Sequence, residues 1–499
     1  MIKHMKKRIL SGILVLLLVV TLLPGTRAAE IVASGECGDQ GDNVTWTLDS
    51  EGTLTISGTG RMQDFSYGSS PWHITKESIE TIIIENGVTS IGNSAFFGCS
   101  ELVSISLPDS VISIGNSSFN GCRNLKSLSI PNHVISIGDD AFYSCEGLGN
   151  ISIPDNVVLI GDYAFSYCKS LTDVIIPSSV KSIGDGAFDN CDGLISVTIH
   201  DGVTSIGNDA FTYCSSLTSI IIPNSVLSIG DHAFSFCSSL TSVNIPNRIT
   251  TIGDQTFYWC RNLTSLTIPE GVTSIGVLSF GYCTSLVNVI IPNTVTTIGK
   301  SAFSNSKLLS ITIPDSIISI GDYAFSSSGL TNITLPNSIN DFGDFVFQGC
   351  SGLNNVTIQN GLSSIGNYTF SVCGYLEYIT IPSSIKTIGN GTFDRCNSLR
   401  DVYFNGSETE WKQVVIGPYY NDALLKARMH FLQPSHIPGD INGDGRVNNR
   451  DLTRLAQHLA GMNVEYVEAA LDVNGDGRIN NRDLTRLAQW LAGMDVELH

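Results

Sequence analysis

Beyond its first two dozen residues, this 499-residue chain has no long apolar run. Any attachment of the remainder to a surface must therefore go through a partner. Positive charge is scarce too: Lys and Arg number 27 against 46 Asp and Glu, for a formal net charge of −19. That balance argues against nucleic acid and anionic lipid as partners and suits a chain with divalent cations nearby. Catalytic signatures are missing. There is no G-x-S-x-G, no phosphate-cradling glycine loop and no HExxH. Histidines do not recur in a column or flank a carboxylate pair, and each conspicuous Asp belongs to one of two repeating patterns. Glycosidase chemistry, which needs two carboxylates at a set separation, finds no candidate pair.

What is present begins with a basic MIKHMKKRIL, an apolar SGILVLLLVVTLL and small residues at Ala28 and Ala29. These are the zones of a secretory signal over residues 1–29, and the apolar run is short for a retained anchor. Cleavage removes Lys3, Lys6, Lys7, Arg8 and Arg27, taking the net charge from −19 to −24. The expected location is extracellular, with no membrane insertion of the mature chain.

Phenylalanine then stands at 96, 119, 142, 165, 188, 211, 234, 257, 280, 303, 325, 347, 370 and 393, every 23 residues apart from two steps of 22. A fixed period of this size predicts a solenoid, in which each coil buries its apolar side only against its neighbours. Within a coil, Leu102-x-x-Ile105-x-Leu107 predicts a short strand ended by Pro108. Val111-x-x-Ile114-Gly115 is the return leg, and its glycine recurs in all fourteen repeats. Asp or Asn follows in twelve of the fourteen, placed to N-cap a helical turn carrying Ala-Phe-x-x-Cys. Twelve of the thirteen cysteines lie three residues after a repeat Phe. Side chains of one ladder point the same way, so buried free thiols are expected rather than disulfides or metal ligands. Ser306 and Ser328 replace the cysteine where the next coil comes one residue early. The segment 30–87 reads as an N-terminal cap, with a β-hairpin turning at Glu51-Gly52.

The pattern LxxLxLP followed by VxxIGxxAFxxC resembles the BspA-type leucine-rich repeat family of bacterial surface proteins. The resemblance implies an α/β, β-rich leucine-rich-repeat solenoid of about 14 coils, curved, with its sheet on the concave side. It also implies adhesion or protein binding without catalysis. On this reading the solenoid runs over 88–404 and a C-terminal cap containing Trp411 over 405–432.

After a linker at 433–437, GDINGDGRVNNRDLTRLAQHLAGM is answered 32 residues later by LDVNGDGRINNRDLTRLAQWLAGM. Each half is Asp-x-Asn-x-Asp-Gly with an Asp at position 12, a set of hard oxygen donors suited to Ca²⁺. The first loop offers Asp440, Asn442, Asp444, the Arg446 carbonyl and Asp451. The second offers Asp472, Asn474, Asp476, the Arg478 carbonyl and Asp483, so two ions are expected. With Asp where EF-hands usually carry Glu, residues 438–499 resemble a type I dockerin, a small all-α domain with two EF-hand-like loops. That resemblance implies a cohesin module of a cellulosome scaffoldin as partner. It points to Asn449, Arg450, Arg454 and Gln457 in one half and Asn481, Arg482, Arg486 and Gln489 in the other as contacts. Because the halves are near copies, either is expected to dock.

One solenoid column varies in blocks. The residue before the cysteine is Tyr167, Tyr213, Phe236, Trp259 or Tyr282 in coils four to nine, interrupted by Asn190. At about 4.8 Å per coil these rings would form a stripe roughly 25 Å long. They are candidates for binding a polysaccharide or cell-surface protein, against the alternative that they stack and cover the turn. The functional expectation is a secreted, non-catalytic binding or adhesion protein docked into a cellulosome-type complex. The alternatives are an accessory polysaccharide-degrading component, enzyme or carbohydrate-binding module, and a plain spacer.

Overall fold

The computed structural model describes residues 29–431, 439–443 and 446–498. The expected leader through residue 28, the linker 433–437 and the ligand candidate Asp444 lie outside the described residues. The chain divides into two compact units, one ending at Leu240 and one starting at Thr241.

In the first unit, Gly41–Asp49 and Thr53–Gly58 form the expected hairpin, with Trp46 opposite Ile56. Ile31–Gly38 adds a third antiparallel strand that the sequence pattern did not single out. Thr53–Gly58 then pairs in parallel with Thr81–Ile84, the first strand in repeat register. From there Ser104–Ser106, Ser127–Ser129, Asn150–Ser152, Asp173–Ile176, Ser196–Ile199 and Ser219–Ile221 follow as parallel neighbours. The return legs form a second parallel ladder from Val88–Ile91 to Ser228–Ile229. Alternation explains the strand: in Asp173–Ile176, Val174 and Ile176 are buried while Asp173 and Ile175 face solvent.

The third side of the coil corrects an expectation. The segment carrying Phe and Cys is a run of tight turns and not a helical turn, because two of its residues take positive φ. In the first coil these are Ser94 at +50° and Gly98 at +71°. Amides are thereby turned along the stack. Ser94, Phe96 and Gly98 donate to the carbonyls of Asn116, Ser118 and Asn120 in the next coil, at 2.7–2.8 Å. The Asp/Asn column caps across coils for the same reason. Asn93 Oδ1 accepts from the Asn116 amide at 2.7 Å, Asn116 Oδ1 from Asp139, Asp139 Oδ1 from Asp162, and Asp162 Oδ1 from Asp185. The invariant glycine beside it has ordinary φ and is required by close approach. A Cβ on Gly161 would lie 2.6 Å from the Asp139 amide nitrogen.

Phenylalanines fill the core as one stack per unit. Phe119 and Phe142 lie 5.3 Å apart at 4°, Phe188 and Phe211 5.3 Å at 3°, and in the second unit Phe347 and Phe370 5.6 Å at 1°. Beside them every cysteine is buried and free. Ladder thiols donate back to the Phe carbonyl of the preceding coil, as Cys122 does to Phe96 at 3.3 Å and Cys396 to Phe370 at 3.0 Å. Burial pushes the Cys99 thiol up to about 12 and Cys122 well above its ordinary range.

In the second unit the two shortened coils interrupt the strand ladder. Return legs pair without a break from Thr251–Ile252 through Ser319–Ile320 to Asp341–Phe342. On the strand side, Ser265–Thr267 pairs with Asn288–Ile290, and regular pairing resumes only at Asn332–Leu335. The missing residue falls in the turn just before the strand, so the strand loses its pairing there while the return legs through Asp341–Phe342 still pair. A cleft lined by Ser310, Thr312, Asn332, Thr334 and Gln359 opens there. Ser328, where a cysteine is absent, keeps its place in the ladder through a 3.2 Å contact with the Cys350 thiol.

The exit segment is one more, irregular coil. Short helices α1 (Glu408–Trp411) and α2 (Asp422–Lys426) alternate with Val415–Ile416 and Arg428–Phe431. These two strands extend the return-leg and strand ladders respectively.

Candidate functional site

Residues 439–498 build a small helical module. Helices α3 (Asn449–Leu459) and α4 (Asn481–Leu491) close on a core of Ile441, Leu455, Ala470, Leu471, Val473 and Leu487. Each helix starts with a capping box. The side chains of Asn448 and Asn480 accept from the first-turn amides of Arg450 and Arg482, and Asp451 and Asp483 reach back to the capping residues' amides. Each ends in a left-handed glycine, Gly461 and Gly493 at φ +74°, with the following Met amide donating to Gln457 or Gln489.

The second loop curls around its own oxygens. Asp472 accepts from the amides of Asp476 and Gly477 at 3.1 and 2.8 Å, Asn474 from Asp476 at 3.0 Å, and Asp476 from Arg478 at 3.0 Å. Gly477 takes φ +78°, as the sharp turn at the sixth position requires. Asp483 is fully buried, with its two oxygens 3.2 and 2.8 Å from the amides of Asn474 and Asn480. Asp451 holds the same place in the first loop, on the amides of Asn442 and Asn448. Backbone amides alone compensate poorly for a fully buried carboxylate, and a divalent cation would complete the set. Among the described residues no three of His, Cys, Asp and Glu gather to hold a metal. The second loop's candidate set includes three carboxylates, Asp472, Asp476 and Asp483, which would have to draw together around an ion.

Four of the sequence-nominated contacts, Asn449, Arg450, Asn481 and Arg482, are exposed, and Arg454, Gln457, Arg486 and Gln489 are half-buried. The structure brings Arg482, Arg486 and Gln489 into one shallow concavity with Asn474 and Asp476 of the second loop. Thr485 lines it as well and was missed. Its hydroxyl bonds the Asn481 carbonyl at 2.8 Å, an ordinary helical habit that leaves no mark in the sequence.

On the solenoid, Tyr167, Tyr213, Phe236, Trp259 and Tyr282 all sit at φ +58° to +61°. The same column holds Gly98, Gly121, Asn190, Asn305 and Gly349, residue types that tolerate the left-handed region. The rings divide between the two units. In the first, Tyr213 and Phe236 stack at 4.4 Å and 10°, while Tyr167 tilts onto Tyr143 at 5.4 Å. In the second, Trp259 and Tyr282 stack at 5.4 Å and 27°, with the Arg261 guanidinium 3.9 Å over the indole. Faces are thus spent largely on one another, and edges are left for solvent. A second aromatic column went unnoticed: Tyr323, Phe345 and Tyr368, two residues before the repeat Phe, stack at 4.6 and 5.1 Å. The same column-by-column reading would have found it.

Parallel coils with two ladders, together with a capped pair of loop–helix units, define the class: a leucine-rich-repeat solenoid carrying an EF-hand-like module. The chain belongs to the BspA type leucine rich repeat family, which matches residues 74–195, 204–331 and 318–416. Residues 438–492 match the type I dockerin domain. No curated protein matches the chain. A leucine-rich repeat protein from Bacteroides ovatus ATCC 8483 is 27% identical with a TM-score of 0.51, over 79% of this chain and 91% of that one. A leucine rich cell surface protein from Faecalibacterium prausnitzii A2-165 is 25% identical over 75% of this chain and 96% of its own, with a TM-score of 0.36. The pneumococcal vaccine antigen PcpA is 19% identical over 81% and 98%, with a TM-score of 0.46. The chain is therefore a dockerin-bearing protein of the binding or adhesion class. Among the described residues no helix is long and apolar enough to cross a membrane.

Proposed function

We propose that this chain is an exported, non-catalytic binding or adhesion protein held in a cellulosome-type complex by calcium-dependent docking onto a cohesin of a scaffoldin. The observation that supports it most is the joining of a BspA type array to a dockerin whose Asp451 and Asp483 are fully buried with backbone amides as partners. Two Ca²⁺ ions would supply the missing positive charge, one held by Asp440, Asn442, Asp444, the Arg446 carbonyl and Asp451. The other is held by Asp472, Asn474, Asp476, the Arg478 carbonyl and Asp483. Ions held there would neutralise the loop carboxylates beside α3 and α4, whose Asn449, Arg450, Arg454, Gln457 and their counterparts would make the docking contacts.

The solenoid holds the ligand. Tyr167, Tyr213 and Phe236 in one unit and Trp259 and Tyr282 in the other present ring edges and hydroxyls beside Lys169 and Arg261. That mixture suits a cell-surface protein better than a sugar ring, which would need open aromatic faces. Pull-down of the secreted protein with and without EDTA tests the docking half: a cohesin-bearing scaffoldin must be recovered with calcium and lost with EDTA. Changing Tyr213, Phe236, Trp259 and Tyr282 together to Ala tests the ligand half. Unchanged capture of the solenoid's ligand by that folded variant would remove both ring pairs from the reading.

A further inference from the structure

Helices α3 and α4 read NRDLTRLAQHL and NRDLTRLAQWL, so they differ at one position, His458 against Trp490. That position lies four residues after Arg454 and Arg486, on the same helix stripe, and next to Gln457 and Gln489. The backbone around it is the same in both halves. Gly461 and Gly493 share φ +74°, and the amides of Met462 and Met494 reach Gln457 and Gln489 at 3.0 and 3.1 Å. Met462 and Met494 are themselves 58% and 57% exposed, giving each face an apolar end.

The two side chains are in different states. His458 is engaged: Tyr466 meets its ring edge-on at 4.3 Å and 65°. The residue in the place of Tyr466 in the second half is Leu498, which packs against the module's core instead. Trp490 is 39% exposed, so an indole stands one turn beyond Arg486 where the first half offers an imidazole with the 42% exposed Tyr466 across its edge. Interface energy concentrates in Trp and Arg anchors near the centre of a patch. A tryptophan also buries far more apolar area than an imidazole already covered by a tyrosine.

We propose that the two docking faces are unequal: Trp490 makes the second half the tighter face, and the position shared with His458 sets which half a cohesin takes. This rests on the docking reading above. The partner surface it fits has acidic or hydrogen-bond-accepting groups for Arg482 and Arg486 flanking an apolar depression for Trp490. A cohesin without the depression uses the two halves equally.

The experiment uses the full calcium-loaded chain against a panel of type I cohesin modules, with affinities from calorimetry. Arg450→Ala with Arg454→Ala leaves the second face, and Arg482→Ala with Arg486→Ala leaves the first. The chain docking through the second face is expected to bind its preferred cohesin roughly tenfold more tightly or better. Adding Trp490→His to that chain removes the advantage, and adding His458→Trp to the other confers it. Circular dichroism with calcium establishes that each variant is folded. Equal affinities of the two face-blocked chains for every cohesin bound, or no effect of Trp490→His in a folded chain, overturns the proposal while leaving docking intact. Failure of the unmodified chain to bind any cohesin overturns the docking reading and this proposal with it.

Discussion

Trp72 stands in the entry cap as a substitute phenylalanine. Its ring stacks on Phe96 at 5.5 Å and 22°, continuing the aromatic column, and its Nε1 donates to the Ala95 carbonyl at 2.8 Å. In the coils that follow, this carbonyl position accepts the amide of the preceding phenylalanine, as Ala141 does from Phe119. One side chain thus supplies both the ring and the donor that a coil before the first would have supplied. Trp72→Phe keeps the ring and loses the donor, at an expected cost of about 1 kcal/mol. Trp72→Ala loses both, at about 3–5 kcal/mol. Urea titration of the two variants, followed by circular dichroism, checks the ordering.

The cysteine ladder should be chemically silent. Only the thiolate reacts, and burial holds these thiols protonated, with Cys99, Cys237 and Cys283 pushed up to about 12. A chromogenic thiol reagent at pH 8 should label essentially no cysteine of the folded protein and all thirteen after denaturation. Labelling of several ladder cysteines in the native state would contradict the packing described.

Asp139, Asp162 and Asp185 each use Oδ1 to cap the next coil, which brings three carboxylates into one column. Asp162→Asn keeps the acceptor and removes a like charge, so it should stabilise by about 0.5 kcal/mol at low ionic strength and less in salt. Asp162→Ala leaves the Asp185 amide without its acceptor and should cost about 1 kcal/mol. Thermal melts at two salt concentrations separate the two contributions.

Glu410 closes a capping box with Ser407, and the Ser407 amide and hydroxyl hold its carboxyl below the ordinary glutamate range. A depressed carboxylate contributes stability that is present above its unfolded pKa and is lost as pH falls through its folded value. Glu410→Gln should therefore destabilise at pH 7, by a few tenths of a kcal/mol once solvent screening of this exposed carboxylate is allowed for. The gap from the parent should narrow through the acid range below the unfolded value of about 4.3. Parallel melts from pH 7 to pH 3 test the sign.

Much of this molecule was legible because a period reports directly on what a coil must repeat. Phe, Gly and Cys recur where stacking, close approach and a thiol-to-carbonyl bond each admit little else. The hairpin at Glu51-Gly52 and both Asp-x-Asn-x-Asp-Gly loops were readable from local chemistry alone. The turn before the phenylalanine misled, because Asp followed by a short apolar run looks the same whether the next amides point along a helix or along the stack. Deciding between them takes the sign of φ at Ser94 and Gly98, which composition carries only faintly, as Gly and Asn in the column of Tyr213. Trp72 was hidden for another reason. It sits outside the strict period, and its role comes from where the chain folds it.

The exit has the complementary device. In the irregular exit coil Gly391 still donates to the Tyr419 carbonyl, but Phe393 finds a side chain in place of a main-chain carbonyl, Oδ1 of the buried Asn421 at 3.3 Å. The entry is therefore closed by a donor and the exit by an acceptor. Stripped of both, the array would show a bare acceptor at the Phe turn of one end and a bare donor at the Phe turn of the other, a heterologous pair. Trp72 and Asn421 each close the turn column at one end, beside the entry strands and the exit coil that cover the ladders.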